Sequence, residues 1–217
     1  GLESIIDLTC INNGRDLKLM QRICERTGLQ TVFCTGLYFN EEPWVPGRSS
    51  AFIANLFIKE LTEGVQNTGI RPGVIKCATD IYGFSSINQV LLEASAIAAY
   101  ETGVPVFTHT IAKMKHGLQQ QKIFDRHGVD LRRVVIGHSG DTNDLEYLQN
   151  IMEQGSFIGL DRFGSDGELT DEDRINNLLE LIDRGYISQL LISHDYPLFY
   201  DWGDNNWEKE KRKPVDK

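Results

Sequence analysis

What most constrains this chain is a repeating alternation. Short apolar runs with β character are each followed by an amphipathic stretch of helical period that closes near a glycine. The β runs fall at residues 4–11, 30–37, 73–78, 104–110, 132–138, 156–161 and 189–193, and the helical stretches at 16–26, 51–67, 86–101, 117–127, 142–154 and 171–184. Most of the β runs are continuously apolar instead of alternating, the pattern of parallel strands covered on both faces. Gly28, Gly69, Gly103, Gly128, Gly155 and Gly185 mark the expected helix stops, and Thr142 and Thr170 the expected N-caps. Such units, recurring every ~25–40 residues, predict an α/β fold built on a parallel sheet.

Two parallel architectures compete. A dinucleotide-binding sheet needs Gly-x-Gly-x-x-Gly after its first strand, and Asn12-Asn13-Gly14-Arg15 does not supply it; a Gly-x-x-x-x-Gly-Lys-Ser/Thr loop is also absent. Chemically competent side chains recur instead at the C-terminal ends of successive β runs, where barrel enzymes keep their catalytic groups. A (β/α)8 barrel is therefore expected, as a single domain over residues 1–217. Seven β runs do not close eight strands, so the chain is expected to carry strands 2–8 and to lack the first βα unit. It opens on Gly1-Leu2-Glu3 directly before an apolar strand, with no Met and no leader, and reads as a piece of a longer chain.

Composition narrows the function. The formal net charge of −9 argues against a nucleic-acid partner, and the basic run at 209–213 is interleaved with Glu and reads as a solvated tail. With no apolar stretch of about 18 residues, nothing is expected to span a bilayer. Cys10, Cys24, Cys34 and Cys77 form no Cys-x-x-Cys pair, so reduced thiols in a cytoplasmic protein are expected.

The β-run ends, in order, present Lys76, His109, His138, Asp161-Arg162 and Asp195. Each alone reads as an ordinary rim residue. Together, two imidazoles, carboxylates and a lysine at one barrel mouth suit a divalent metal with nitrogen and oxygen donors. Lys76 leaves two routes open: a buried amine of lowered pKa can form a Schiff base, or it can combine with carbon dioxide to give a carbamate, an anionic metal ligand. His116 and His127 are expected at the surface.

Seven segments, in order along nearly the whole chain, carry a resemblance. They are Ile6-Asp7-Leu8-Thr9 with Gly14-Arg15-Asp16, Thr35-Gly36-Leu37-Tyr38, Gly73-Val74-Ile75-Lys76, Thr108-His109, Ile136-Gly137-His138-Ser139-Gly140-Asp141-Thr142, Gly159-Leu160-Asp161-Arg162-Phe163-Gly164 and Ile192-Ser193-His194-Asp195-Tyr196. In these the chain resembles the phosphotriesterase family of the amidohydrolase superfamily, most of all its lactonase branch. The resemblance implies a hydrolase with two divalent metal ions, zinc or alternatively cobalt, iron or manganese. Lys76 is then the carbamylated bridge, formed with carbon dioxide. His109 and His138 are ligands of the more exposed metal. Asp195 is a ligand of the buried metal and the proton acceptor, passing the proton outward through His194. Tyr38 and Arg162 match the residues that the lactonase branch places beside the metals, so a small-molecule lactone is the expected substrate, with weaker activity on organophosphate esters. A homodimer is expected.

The sequence departs from the family in having no His-x-His pair, which elsewhere supplies two ligands of the buried metal, and in stopping before the family's final helix. The aromatic stretch 196–202 reads as an apolar wall for an acyl chain or as packing of the loop on the rim. The alternatives to a metal hydrolase are a Schiff-base lyase or aldolase using Lys76, and a non-catalytic barrel fragment.

Overall fold

The computed structural model describes residues 1–165 and 167–195. Strands β1 (Ser4–Asp7), β2 (Gln30–Gly36), β3 (Val74–Ala78), β4 (Val106–His109), β5 (Val134–Ile136), β6 (Phe157–Leu160) and β7 (Leu190–Ile192) alternate with helices α1 (Leu17–Thr27), α2 (Ser50–Glu63), α3 (Ser86–Thr102), α4 (His116–Arg126), α5 (Leu145–Glu153) and α6 (Asp171–Asp183). All seven strands form one sheet in chain order, and every neighbouring pair is parallel. A doubly wound sheet would reverse its strand order at a switch point. Chain order with a helix in every connection is the arrangement of a (β/α)8 barrel, of which seven strands stand here; β1 and β7 are the ends of the sheet and do not pair with one another.

Alternation along the strands sorts side chains between two layers. In β3, buried along its whole length, Ile75 and Cys77 join the main core against the helices, and Lys76 points to the opposite face. Val106, Val134, Ile136 and Ile158 repeat the outward pattern on β4, β5 and β6. Small residues let α3 settle closely over this layer, with Ala94, Ala96, Ala98 and Ala99 buried beside Leu91 and Leu92. Removing either leucine side chain would cost about 2–5 kcal/mol. Toward the ends of the sheet cover thins, and Ile6 and Ile192 are mostly exposed.

The segment after β1 is fastened by charge. The Arg15 guanidinium donates to both Glu60 oxygens at 2.8 and 2.7 Å and to the Cys34 carbonyl at 3.0 Å, and the Thr35 hydroxyl donates to the same Glu60 at 2.7 Å. Asp16 next to it caps α1, accepting from the Leu19 N–H at 2.9 Å. Thr170 caps α6 as expected, in a reciprocal box with Asp173.

Several sequence expectations are corrected. The helix expected over 51–67 ends at Glu63, because the Gly64 N–H closes on Glu60 and the chain turns back through a Val65-to-Ile70 hydrogen bond; Gly69 is not its stop. The N-cap of α5 is Asp144, whose carboxylate takes the Tyr147 N–H, while Thr142 accepts from the Asp144 N–H instead of capping. Strand β1 is shorter than expected, so Cys10 sits in the turn after it, and residues 131–133 and 187–189 form single 3-10 turns ahead of β5 and β7. His116 is buried, not at the surface: it opens α4 with its ring edge-on to Phe84 at 5.2 Å. All four cysteines are free. Among the described residues no helix is long and apolar enough to cross a membrane. The aromatic stretch 196–202 and the basic run 209–213 lie outside the described residues.

Candidate active site

Short connections carry one polar residue from each strand end toward the next, and the contacts run continuously from β2 to β7. His109, the last residue of β4, is buried and held on both ring nitrogens. Asp80, just past β3, faces Nε2 at 2.7 Å, and the Tyr38 hydroxyl, just past β2, faces Nδ1 at 3.1 Å. A carboxylate only accepts, so Nε2 carries the proton and Nδ1 keeps its lone pair, on which the phenol donates. Burial lowers the His109 pKa to about 4 against the opposing pull of Asp80, so the imidazole is neutral at pH 7. The hydrogen bond from His109 in turn holds the Asp80 carboxyl below its ordinary range. Gln120 on α4 donates to the His109 carbonyl at 2.9 Å and fixes the backbone behind the ring.

His138 follows β5 with its ring 4.6 Å from that of His109, centroid to centroid. Asp161, at the end of β6, takes the Nδ1–H at 2.8 Å and the backbone N–H of the same residue at 3.0 and 3.1 Å. The other ring nitrogen, Nε2, faces Asp195 Oδ2, 3.7 Å away past the end of β7. Burial opposes ionisation of Asp161, but the His138 ring, the N–H donors and Lys76 outweigh it and hold the carboxyl at about 2. His138 and Asp195 both have left-handed backbones, at φ 58° and 44°. Residues without glycine's freedom are held there only when their surroundings fix them.

Lys76 is buried on the inner face of β3, donates to the Thr108 carbonyl at 3.0 Å and lies over the Phe107 ring at 5.1 Å. Its neighbour in register is Gly36 at φ 113°, where a Cβ would stand 1.9 Å from the Lys76 carbonyl oxygen. Arg162 donates through Nε to Asp195 Oδ2 at 3.3 Å and through Nη1 to Asp141 Oδ2 at 2.9 Å. Burial would lower the Arg162 pKa, but the two carboxylates raise it. Tyr38 is pushed well above the ordinary phenol range, first by burial and then by the charges of Asp80 and Asp195, so it stays a proton donor. His194 is exposed beside Asp195.

The structure thus brings Tyr38, His109, His138, Arg162 and Asp195 into one run of contacts, while Lys76, equally buried, makes its hydrogen bond to the Thr108 carbonyl. Asp80 and Asp141 stand among them and were not singled out from the sequence as site residues. Their signal was available in kind, as polar residues just past a β run, but a short carboxylate is equally at home in any turn. Cys10 and Cys34 were expected only as reduced thiols. Cys10 Sγ donates to the Leu8 carbonyl at 3.7 Å, and the neighbouring Cys10 thiol together with burial pushes the Cys34 thiol well above its usual range.

The donor chemistry suits a divalent cation in one respect. Each imidazole has a carboxylate on its far nitrogen, the arrangement that orients and strengthens histidine ligands. In another respect it is sparse: among the described residues no three His, Cys, Asp or Glu side chains gather closely enough to cage an ion. The described residues thus offer a cation two adjacent imidazoles, and further ligands would have to be supplied.

Comparison with known proteins agrees across the chain. The profile of the phosphotriesterase family matches residues 1–211. A phosphotriesterase homology protein of Mycobacterium tuberculosis is 39% identical over 210 residues, covering 93% of this chain and 64% of that protein. An aryldialkylphosphatase of Saccharolobus solfataricus is 40% identical over 205 residues, covering 94% and 65%. A phosphotriesterase homology protein of Escherichia coli is 30% identical over 200 residues, covering 90% and 68%. The chain therefore spans just under two thirds of the length of the first two.

Proposed function

The chain belongs to the phosphotriesterase family, and from that premise we propose that it forms most of the barrel of a metal-dependent hydrolase that opens lactones and also accepts phosphotriesters. The observation that carries the reading is the pair of adjacent buried imidazoles, His109 and His138, each buttressed by its own carboxylate. The name of the Saccharolobus relative supports the phosphotriester side.

His109 and His138 would hold the cation, with Lys76 as the carbamate it forms with carbon dioxide. Bound there, zinc, or alternatively cobalt, iron or manganese, supplies a Lewis acid that polarises the ester oxygen and lowers the pKa of water. A second cation would find only Lys76 and Asp195 among the described residues, so one ion is held tightly and a second weakly.

The chain's own groups do the rest. Burial keeps His109 neutral, and its Nδ1 lone pair is free to act as a ligand once the Tyr38 hydroxyl turns from it toward the substrate. Asp80 and Asp161 fix both tautomers. Asp195 accepts the proton of the attacking water. Arg162 and Tyr38 present a cation and an O–H donor to the oxygen that becomes negative as the carbonyl is attacked, the groups a lactone calls for. A phosphotriester brings three substituents into the same space, and Tyr38 crowds one of them.

The test is steady-state kinetics on the full-length protein that contains this segment, loaded with zinc or cobalt, against alkyl-substituted lactones and an aryl dialkyl phosphate. A higher kcat/KM on lactones is expected. The reverse order would sink the lactone assignment, and no hydrolysis of either class would sink the hydrolase. Borohydride trapping of a carbonyl substrate on Lys76 would establish the Schiff-base chemistry instead.

A further inference from the structure

Among the described residues Arg174, on α6, has the largest fully buried side chain, at 1% exposure. Burying a guanidinium is costly unless its donors are met. Here Nε and Nη2 both reach Asp141 Oδ1, at 3.3 and 3.0 Å, and Nη1 reaches the Ser165 carbonyl at 2.8 Å and Asp171 Oδ1 at 3.1 Å. Asp171 in turn accepts the Gly164 N–H at 3.0 and 3.1 Å. One side chain on a helix outside the mouth therefore ties together the segment after β5, which carries Asp141, and the segment after β6, which carries Arg162.

The consequence lies in how Asp141 is shared. Arginine favours a two-pronged grip on a carboxylate. Arg162 has Asp141 within reach but uses only one prong on it, Nη1 to Oδ2 at 2.9 Å, because Oδ1 is taken by Arg174. Nε, which cannot share a carboxylate with Nη1, meets Asp195 at 3.3 Å, and adding Nη2 to the grip on Asp141 would turn the guanidinium and move it. Without Arg174, the buried Oδ1 would be an unmet acceptor beside a mobile fork, and closing that fork on Asp141 would draw Arg162 away from Asp195.

We propose that Arg174 is a positioning residue: by occupying Asp141 Oδ1 it prevents a two-pronged Arg162–Asp141 pair and keeps Arg162 aimed at Asp195. The catalytic consequence rests on the function proposed above, in which Arg162 and Asp195 face the substrate. The placement itself does not.

The experiment therefore has two arms, both on the full-length protein. The first reads the Arg162 Nε–H resonance by 15N NMR, assigned by its loss in Arg162→Lys, and its exchange with water; it needs neither metal nor substrate. In Arg174→Met the signal is expected to shift and its exchange to speed up at least about tenfold. Arg174→Lys, which can still occupy Oδ1, is expected to stay near wild type. The second arm is kinetic: Arg174→Met is expected to lose about tenfold to a hundredfold in kcat with KM nearly unchanged, with partial recovery in millimolar guanidinium. A folded Arg174→Met protein whose Arg162 signal and exchange match wild type overturns the proposal and leaves Arg174 a structural residue. So does an Arg174→Lys protein as perturbed as Arg174→Met. If Arg174→Met does not fold, Arg174→Gln, which fills the space without the charge, is read by the same signal and the same criteria. An inactive wild type would overturn the proposed function while the NMR arm still decides the placement.

Discussion

Asp161 grips His138 at two points, taking the Nδ1–H of its ring at 2.8 Å and the N–H of its backbone at 3.0 and 3.1 Å. One carboxylate thus fixes both the tautomer of the imidazole and the left-handed backbone that aims it. With its folded pKa held at about 2, below the ordinary 3.8, the group stabilises the fold in full above about pH 4. That contribution is lost as pH falls through 2. Its size is about 2 kcal/mol. Asp161→Asn should be less stable by that order at pH 7, and the difference from wild type should close by about pH 2. Urea unfolding across this range measures it; a constant gap would count against the pairing.

His109 runs the opposite way in charge but the same way in pH. Its folded pKa, about 4, lies below the ordinary 6.5 because burial penalises the imidazolium. Between those values the unfolded chain binds a proton that the folded chain refuses. Stability is therefore complete above about pH 6.5 and erodes by about 3 kcal/mol on descending to pH 4. In chelator-treated protein, His109→Gln should flatten that stretch of the stability curve.

Gly36→Ala should be severely destabilising. The added Cβ would meet the Lys76 carbonyl oxygen at 1.9 Å, on a backbone of φ 113°. Strain and overlap together should cost about 3 kcal/mol or more. Gly14→Ala, also at positive φ but with open space around it, should cost about 1 kcal/mol. Thermal or urea denaturation of the pair separates crowding from conformation.

Tyr38→Ala removes the phenol that donates to His109. In the full-length protein it should reduce kcat/KM on lactones by up to about 2.7–4 kcal/mol of transition-state stabilisation, and on phosphotriesters by less. Equal losses on both substrates would place Tyr38 in holding His109 alone.

Metal binding offers a readout independent of turnover. Titrating the 217-residue chain with zinc or cobalt should give one tight site per chain. His138→Asn should abolish that site, and Asp161→Asn should weaken it about 10–100-fold. Two equally tight sites would contradict the ligand set proposed here.

The sheet was legible because burial on both faces leaves long apolar runs, and Gly28 and Gly103 do stop their helices with left-handed backbones. Ends were less legible where two polar residues compete for one task. Thr142 and Asp144 both suit an N-cap, and only the geometry of the turn chose Asp144. The histidines and Lys76 stood out as rare polar residues in apolar surroundings. Asp141 and Arg174 did not, since their meeting joins a turn after β5 to a helix beyond β6, a distance in sequence that no local pattern encodes. His116 was misplaced because it falls just ahead of the helix expected over 117–127, where a residue reads as exposed loop, whereas here it opens α4 and Phe84 covers it.

Because each strand pairs only with its neighbour in the chain, the sheet can be laid down in the order of synthesis. Every new strand finds its partner already made and a short helix away, so the contacts are local and little loop entropy is lost at each step. A nascent chain leaving the ribosome can consolidate unit by unit. The residues at the mouth obey a different timetable. Tyr38 emerges more than a hundred residues before Arg162, and Asp195 later still. The run of contacts from Tyr38 to Asp195 is then closed only after most of the described strands have paired.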